Sequence, residues 1–373
     1  MRRALRRTRI ACVILLSPLP VACSAARPTA PAGVTSLDAA LSDWAELERH
    51  RGVSAAVIFP DGTEWVATAG IEAEGVSLRP DHLVWIASIT KTVTGATVLR
   101  LADQGVLSLD DPVSDWLTPH RHIDPTITIR ELLNHSNGLG NYTANPALGA
   151  RIATDPDHVF SPSELVEFIP APAFPRGTRT QYTNSSFLLL GIIAERASGH
   201  ALADVWGELL CEPLGLDDGV LPGAEESAGP VATAWAGRAD VAVAPLTRMS
   251  LVSTGSYAFG LYANARFVAR WGRALFTGDV LGAEMRTEMT RMQPAAGNIP
   301  GETGVGLGIR GYGYLGRRQW GHSGGSPLGS SLLLFDPETR ITVAVVMNQG
   351  AGADHFFLAP LLLDLASKQL DRR

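Results

Sequence analysis

Ser88-Ile89-Thr90-Lys91 opens a run of helical spacing that continues to about Gln104 and stops at Gly105. Lys91 is one of only two lysines among 31 basic residues. Arginine does not give up its proton inside a protein, whereas a lysine that is buried or set beside other charge can. A serine and a lysine three residues apart share one helical face, which makes Ser88 a candidate nucleophile and Lys91 its candidate activator. A serine at a helix start also meets free N–H groups and the positive end of the helix dipole, which favour an alkoxide and an adjacent oxyanion hole. The same four residues equally fit an N-cap serine followed by a solvated first-turn lysine.

Two further segments carry chemistry. Tyr182-Thr183-Asn184 follows the loop Phe174-Pro175-Arg176-Gly177-Thr178 and precedes an apolar helix. A tyrosine beside a lysine ammonium can have its pKa lowered enough to act as a general base, and an asparagine amide can both donate to and accept from a substrate amide. Tyr262-Ala263-Asn264 repeats the spacing in an irregular segment rich in glycine and aromatic residues, and either tyrosine also fits a packed ring with one hydrogen bond. Gly321-His322-Ser323-Gly324-Gly325 lies at the end of a predicted strand, whose edge can pair with an extended acyl substrate while glycine admits close backbone approach. His322 also fits a structural surface histidine. His50-Arg51-Gly52 shares the spacing but sits at a helix end, where a cap explains it.

Periodicity places these segments in an α+β fold. Leu37, Leu41, Trp44, Leu47 and His50 predict a first helix ending near Gly52, and residues 53–59 and 64–71 predict a hairpin about Pro60-Asp61-Gly62. Helical patterns then dominate at 131–133, 162–168, 185–197, 202–210 and 265–276. Strand character returns at 317–321, 330–335 and 341–347, before a last helix over 356–370. Strands at both ends predict one antiparallel sheet closed by the two ends of the body and flanked by N- and C-terminal helices, an α/β sandwich. The sheet lobe takes about 37–85 and 300–373, and an all-helical lobe of about 86–299 is inserted, with the site at the seam.

Composition narrows the class. Apolar residues make up 46% and charged residues 18%, as in a globular protein. Formal charge is -6, and residues 1–22 contribute five arginines and no acid, so the remainder carries -11, which excludes a typical nucleic-acid binder. The basic residues 1–9 and the apolar run 10–22, broken by Pro18 and Pro20, predict a secretory signal, since a bilayer span needs about 18 or more apolar residues. Leu19-Pro20-Val21-Ala22-Cys23 resembles a bacterial lipobox, with Pro20 where a leucine-like residue is usual, so Cys23 is the expected lipidation site. Ordinary cleavage near Ser24-Ala25-Ala26 is the alternative. Residues 23–36 then form a flexible tether ahead of the body, 37–373. Of the three cysteines only Cys211 lies in the body, after an apolar run, and is expected to be buried and inert. His120 and His122 have a metal-like spacing but fall in a polar loop, so no metal is expected there.

Together, Ser88-x-x-Lys91, Tyr182-x-Asn184 and His322-Ser323-Gly324 resemble the ordered motifs of the penicillin-recognising serine hydrolases: class C β-lactamases, D-alanyl-D-alanine carboxypeptidases and their esterase relatives. Residues 101–113 and 127–139 are further echoes, and the resemblance covers about 37–370. It implies a β-lactamase/transpeptidase-like fold in which Ser88 is acylated, Lys91 and Tyr182 jointly manage its proton, and Asn184 holds the substrate amide. His322, Ser323 and Gly324 would line the substrate, and the N–H groups of Ser88 and Gly325 would form the oxyanion hole. It implies no cofactor, a small-molecule or peptidoglycan-type peptide or ester substrate, no nucleic acid, and membrane contact only through a lipid anchor at Cys23. Efficient β-lactamases usually carry lysine where His322 stands, a permanent charge for the drug's carboxylate, whereas histidine is charged only where its surroundings permit. That favours peptidase or esterase chemistry over a β-lactamase or a non-hydrolytic penicillin-binding sensor. Two departures stand out: Leu328 interrupts the usual Pro-Gly continuation, and Tyr257, Phe259, Leu261 and Tyr262 occupy a stretch that is commonly small, either as packing or as a wall of the acyl pocket.

Overall fold

Leu332-Leu333-Leu334-Phe335 and Val343-Ala344-Val345-Val346 are apolar on both alternating faces, so these strands need cover on both sides. The computed structural model supplies it; the described residues are 34–372 apart from 47–50, 217–218, 221–228, 237–240, 244–250, 252, 296, 298 and 351–354. The signal segment, Cys23, nearly all of the tether and His50 lie outside them.

Thirteen strands occur among the described residues: β1 (Gly52–Ile58), β2 (Glu64–Ala73), β3 (Val76–Ser77), β4 (Val84–Trp85), β5 (Gly219–Val220), β6 (Ala234–Ala236), β7 (Val241–Val243), β8 (Tyr262–Ala263), β9 (Glu302–Val305), β10 (Arg310–Tyr312), β11 (Gln319–Gly325), β12 (Ser330–Phe335) and β13 (Thr342–Met347). The helices are α1 (Leu37–Ala45), α2 (Thr90–Asp103), α3 (Ile129–Leu133), α4 (Pro146–Thr154), α5 (Pro162–Val166), α6 (Asn184–Ser198), α7 (Leu202–Trp206), α8 (Glu212–Leu214), α9 (Ser256–Phe259), α10 (Ala265–Thr277), α11 (Ala283–Met289) and α12 (His355–Leu370). The main sheet is ordered β3-β2-β1-β13-β12-β11-β10-β9, and all of its neighbours are antiparallel. Val53 pairs with Met347 and Ile58 with Thr342, so the first and last strands of the body close the sheet as expected.

Alternation sorts the core into two layers. Val53, Ala55, Val57, Leu332, Leu334, Val343 and Val345 pack on α1 and α12. Ala56, Ile58, Leu333, Phe335, Ala344 and Val346 face the larger core that includes α2, α6 and α10. The inserted region is mostly helical, but β4, β8 and β5 form a small sheet and β6 and β7 a pair.

Several boundaries differ from the sequence reading. Helix α1 starts at a Ser36 cap, whose hydroxyl accepts from Ala39 N at 3.2 Å, and ends at Ala45 rather than near Gly52. The 202–210 helix divides into α7 and a π-turn, Gly207–Cys211. Cys211 is partly exposed rather than buried, and burial with the Glu212 charge still pushes its thiol up to about 11, away from thiolate reactivity. Strand β11 runs through the His322 motif instead of ending before it. Each of Gly321, Gly324 and Gly325 finds a ladder partner on β12, so tertiary pairing overrides the weak strand propensity of glycine.

Candidate active site

The Ser88 turn is built under strain. Ala87–Ile89 is a 3-10 turn running into α2, and Ala87 holds φ 48, a left-handed value that costs a non-glycine residue about 1–3 kcal/mol. Neighbours over-determine it: Thr90 Oγ1 donates to Ala87 O at 2.7 Å, Ser331 Oγ donates to Ile86 O at 2.7 Å, and Ile86 N donates to Leu261 O at 3.1 Å. Strand β11 presses on the same turn, because a Cβ at Gly324 would fall 2.2 Å from Ile86 O and 2.3 Å from Ser331 Oγ.

Lys91 is fully buried in the first turn of α2. Its Nζ contacts Asn184 Oδ1 at 2.7 Å, Ala258 O at 2.7 Å and Ser88 Oγ at 3.3 Å, with no carboxylate among its hydrogen-bond partners in the described residues. Burial, and then the charge of Arg310, hold its pKa well below the ordinary lysine value. A neutral amine has two hydrogens and one lone pair. Two of its oxygen neighbours only accept, so they take the hydrogens, and the lone pair is left for the one neighbour that can donate, the Ser88 hydroxyl.

Tyr182 OH donates to Ser88 Oγ at 2.7 Å. Its backbone is held from both flanks by His135, whose carbonyl accepts from Gln181 N at 3.0 Å and whose Nδ1 accepts from Thr183 N at 3.4 Å. His135 itself sits at φ 61, with its ring 4.8 Å from that of Tyr182. The expectation of a lowered tyrosine pKa is overturned: burial pushes Tyr182 up to about 12, against smaller opposing effects from Arg310 and the Ser88 hydrogen bond. The physical reason is that burying a phenolate costs more than the Arg310 charge and the Ser88 hydrogen bond return. Tyr182 is therefore a proton-bearing phenol at neutral pH.

Asn184 opens α6. Its Oδ1 accepts from Lys91, its Nδ2 donates to Thr143 Oγ1 at 3.1 Å, and its backbone N donates to Asn141 Oδ1 at 3.2 Å. One lone pair on Oδ1 and one hydrogen on Nδ2 remain beyond these bonds. His322 lies on β11 with its ring 6.2 Å from Tyr182. Its Nδ1 is 2.6 Å from Ser323 O, an acceptor, which places the ring hydrogen there and leaves Nε2 as an acceptor. Burial, then Arg310 and Lys91, hold its pKa well below the usual histidine range, so the His322 motif contributes no cation near neutral pH. Ser323 is buried beside it, and the Cβ position of Gly325 opens into free space.

The duplicate motif falls elsewhere. Tyr262 stacks on Trp85 with centroids 6.1 Å apart, and Asn264 caps α10 by accepting from Phe267 N at 2.8 Å. Tyr257 packs against Gly191 of α6, where a Cβ would come within 2.1 Å of its ring, and donates its hydroxyl to Glu195 at 2.7 Å. That segment nevertheless serves the site by delivering the Ala258 carbonyl to Lys91, and Phe259 lies 5.8 Å from the same Nζ. His122 Nδ1 and His120 Nδ1 both face backbone, Ile169 O at 2.8 Å and His122 N at 3.2 Å. Sequence reading missed His135, Ala258, Arg310 and its partner Glu302. Only His135 had a signal, standing in the 127–139 echo.

A model of the beta-lactamase family matches residues 37–367. The chain belongs to the beta-lactamase family. Among curated members, esterase EstB of Burkholderia gladioli is 35% identical over 156 residues, 39% of this chain and 40% of that protein. D-alanyl-D-alanine-carboxypeptidase/endopeptidase AmpH of Escherichia coli is 29% identical over 173 residues, 44% of each chain. The chain thus spans about two fifths of the length of the curated relatives it matches. A D-stereospecific amidohydrolase from Streptomyces has TM-score 0.75 and 26% identity, covering 86% of this chain and 96% of that one. A penicillin-binding protein from Bacillus halodurans shares the fold at TM-score 0.74 and 20% identity, covering 88% and 100%. The beta-lactamase family frame therefore extends over both lobes.

Proposed function

We propose that this protein is a serine hydrolase that cleaves amides or esters through an acyl-enzyme on Ser88. The observation that carries the reading is one serine oxygen lying between a phenol at 2.7 Å and a buried amine at 3.3 Å. Ser88 Oγ attacks the substrate carbonyl carbon as its proton passes to the Lys91 lone pair, forming a C–O bond and an oxyanion. The N–H groups of Ser88 and Gly325 receive that oxyanion, a reading supported by the closeness of β11 to the nucleophile turn. Tyr182, still protonated, relays a proton to the leaving amine or alcohol as the C–N or C–O bond breaks. Water then attacks the ester carbonyl, and the same groups return the proton to Ser88. Asn184 positions Lys91 and offers its remaining donor and acceptor to the substrate amide, while His322, Ser323 and Gly324 line the bound chain.

D-alanyl peptide or simple ester substrates are favoured over β-lactam drugs, because neutral His322 offers no fixed charge to a drug carboxylate. The names of the matched esterase, carboxypeptidase and amidohydrolase agree with that choice. The N-terminal sequence supports export and attachment to the cell envelope through lipidated Cys23. No helix among the described residues is long and apolar enough to cross a membrane. Intact-mass measurement after exposure to a fluorescent penicillin tests the acyl-enzyme. An adduct on wild type that Ser88→Ala abolishes supports it, and an unlabelled wild type together with full ester and amide hydrolysis by Ser88→Ala overturns it. Rates on a D-Ala-D-Ala peptide, nitrocefin and a p-nitrophenyl ester then separate the three activities.

A further inference from the structure

One buried charge against the site lacks a role in that mechanism. Arg310, on β10, is 5% exposed and lies over the Tyr182 ring with its guanidinium carbon 4.7 Å from the centroid. Its ion-pair partner is Glu302 of β9, whose side chain is also buried. A buried ion pair is a poor device for stability, since well-packed apolar residues of similar volume commonly do as well or better. Its placement on the face of the catalytic phenol is what needs an explanation.

The titratable groups around Tyr182 come from every element packed on it: Lys91 of α2, His135 after α3, Tyr142, Arg310 and Tyr312 of β10, and His322 of β11. Both histidines are held neutral by burial. Arg310 is the one group among these that keeps its charge at any working pH. We propose that Arg310, oriented by Glu302, is a positioning residue for the Ser88 site: it braces the Tyr182 ring and sets from β10 a fixed positive charge against the same ring that Lys91 contacts. The inference deepens the acyl-enzyme reading and rests on it. In support, Lys91 Nζ and the Arg310 guanidinium carbon each lie 4.7 Å from the centroid of the Tyr182 ring, and Arg310 follows burial as the second influence on both Lys91 and His322, acting against the charged form in each.

The scarcity of lysine provides a direct test. Lysine labelled with 13C at Cε gives two side-chain resonances in the body, Lys91 and the exposed Lys368, assigned by Lys91→Arg. In Arg310→Gln the Lys91 titration midpoint should rise by about one pH unit or more, the size expected when a nearby like charge is lost. The acid limb of Ser88 acylation should rise with it, while Arg310→Lys keeps both near wild type. Should Arg310→Gln fail to fold, the paired change Arg310→Met with Glu302→Leu removes the ion pair and leaves no unpaired carboxylate, and a rise of the same sign but smaller size is expected. A folded variant lacking the charge with an unmoved Lys91 midpoint overturns the proposal, as does a rise of equal size in Arg310→Lys. The resonance reads the resting protein, so a missing acyl adduct beside an intact Lys91 shift sinks the hydrolase reading by itself.

Discussion

Tyr182 donates its phenolic proton to Ser88 Oγ across 2.7 Å, and burial raises that phenol to about 12. A phenol raised in this way is a better proton donor than resting base for Ser88. In the proposed reaction its use is as a donor to the leaving group, after Lys91 has taken the serine proton. Tyr182→Phe keeps the ring in its place against His135 and removes only the hydroxyl. Acylation by an ester with an activated leaving group should fall by about tenfold, and acylation by an amide by about 10²–10⁴, the range typical of a lost general acid. Equal losses on both substrates would show that Tyr182 acts before the leaving group departs. Single-turnover rates on a matched ester and amide measure the split.

Lys91→Arg separates charge from proton transfer. Arginine retains the cation but cannot accept the serine proton. Acylation should drop by about 10²–10⁴ across the working pH range, with no recovery at alkaline pH. Recovery as pH rises would mean that the lysine contributes charge rather than basicity.

Much of this arrangement was legible in the sequence. The runs of β1, β12 and β13 are apolar on both faces, and α2, α6 and α10 have clear helical periods and stops. Strands β9 and β10 were not, because Gly301, Gly304, Gly306, Gly308, Gly311 and Gly313 break up any two-residue alternation there. Arg310 and Glu302 lie in that stretch and belong to no motif; only sheet pairing brings Arg310 against Tyr182 and Glu302 against Arg310. The Ala258 carbonyl was illegible for a different reason, since every residue has one and the fold alone decides which reaches Lys91. The raised pKa of Tyr182 follows from its burial, which spacing does not reveal.

Gly324→Ala tests whether the third motif needs glycine for backbone approach. The added methyl would meet a backbone oxygen at 2.2 Å, the Ile86 carbonyl, and a hydroxyl at 2.3 Å that already bonds that carbonyl. Neither can yield without shifting the turn that carries Ser88. Overpacking of this kind costs about 1–3 kcal/mol, and acylation should fall by more than tenfold in protein that remains folded. Gly325→Ala, with open space at the same atom, should remain within about 0.5 kcal/mol of wild type in stability. Comparable thermal losses in the two variants would remove the steric account.

Lys91 should also leave a mark on stability. Its folded pKa lies well below 10.5, the value of the unfolded chain, so over the interval between them the unfolded state binds more protons than the native state. Unfolding free energy therefore climbs as pH rises through that interval, with a contribution of up to about 1.4 kcal/mol per pH unit from this one group. Below the folded pKa both states are protonated, and the slope from Lys91 vanishes. Lys91→Met cannot titrate and lacks the contribution. It also leaves Asn184 Oδ1 and Ala258 O without the lysine's donors, so its absolute stability is not informative. The informative quantity is the difference between wild type and Lys91→Met, followed by urea unfolding from pH 6 to 10, in which titrations common to both proteins cancel. That difference should move in favour of wild type with increasing pH. A flat difference would mean that Lys91 keeps its proton in the folded protein, and Ser88 would then have to lose its proton elsewhere.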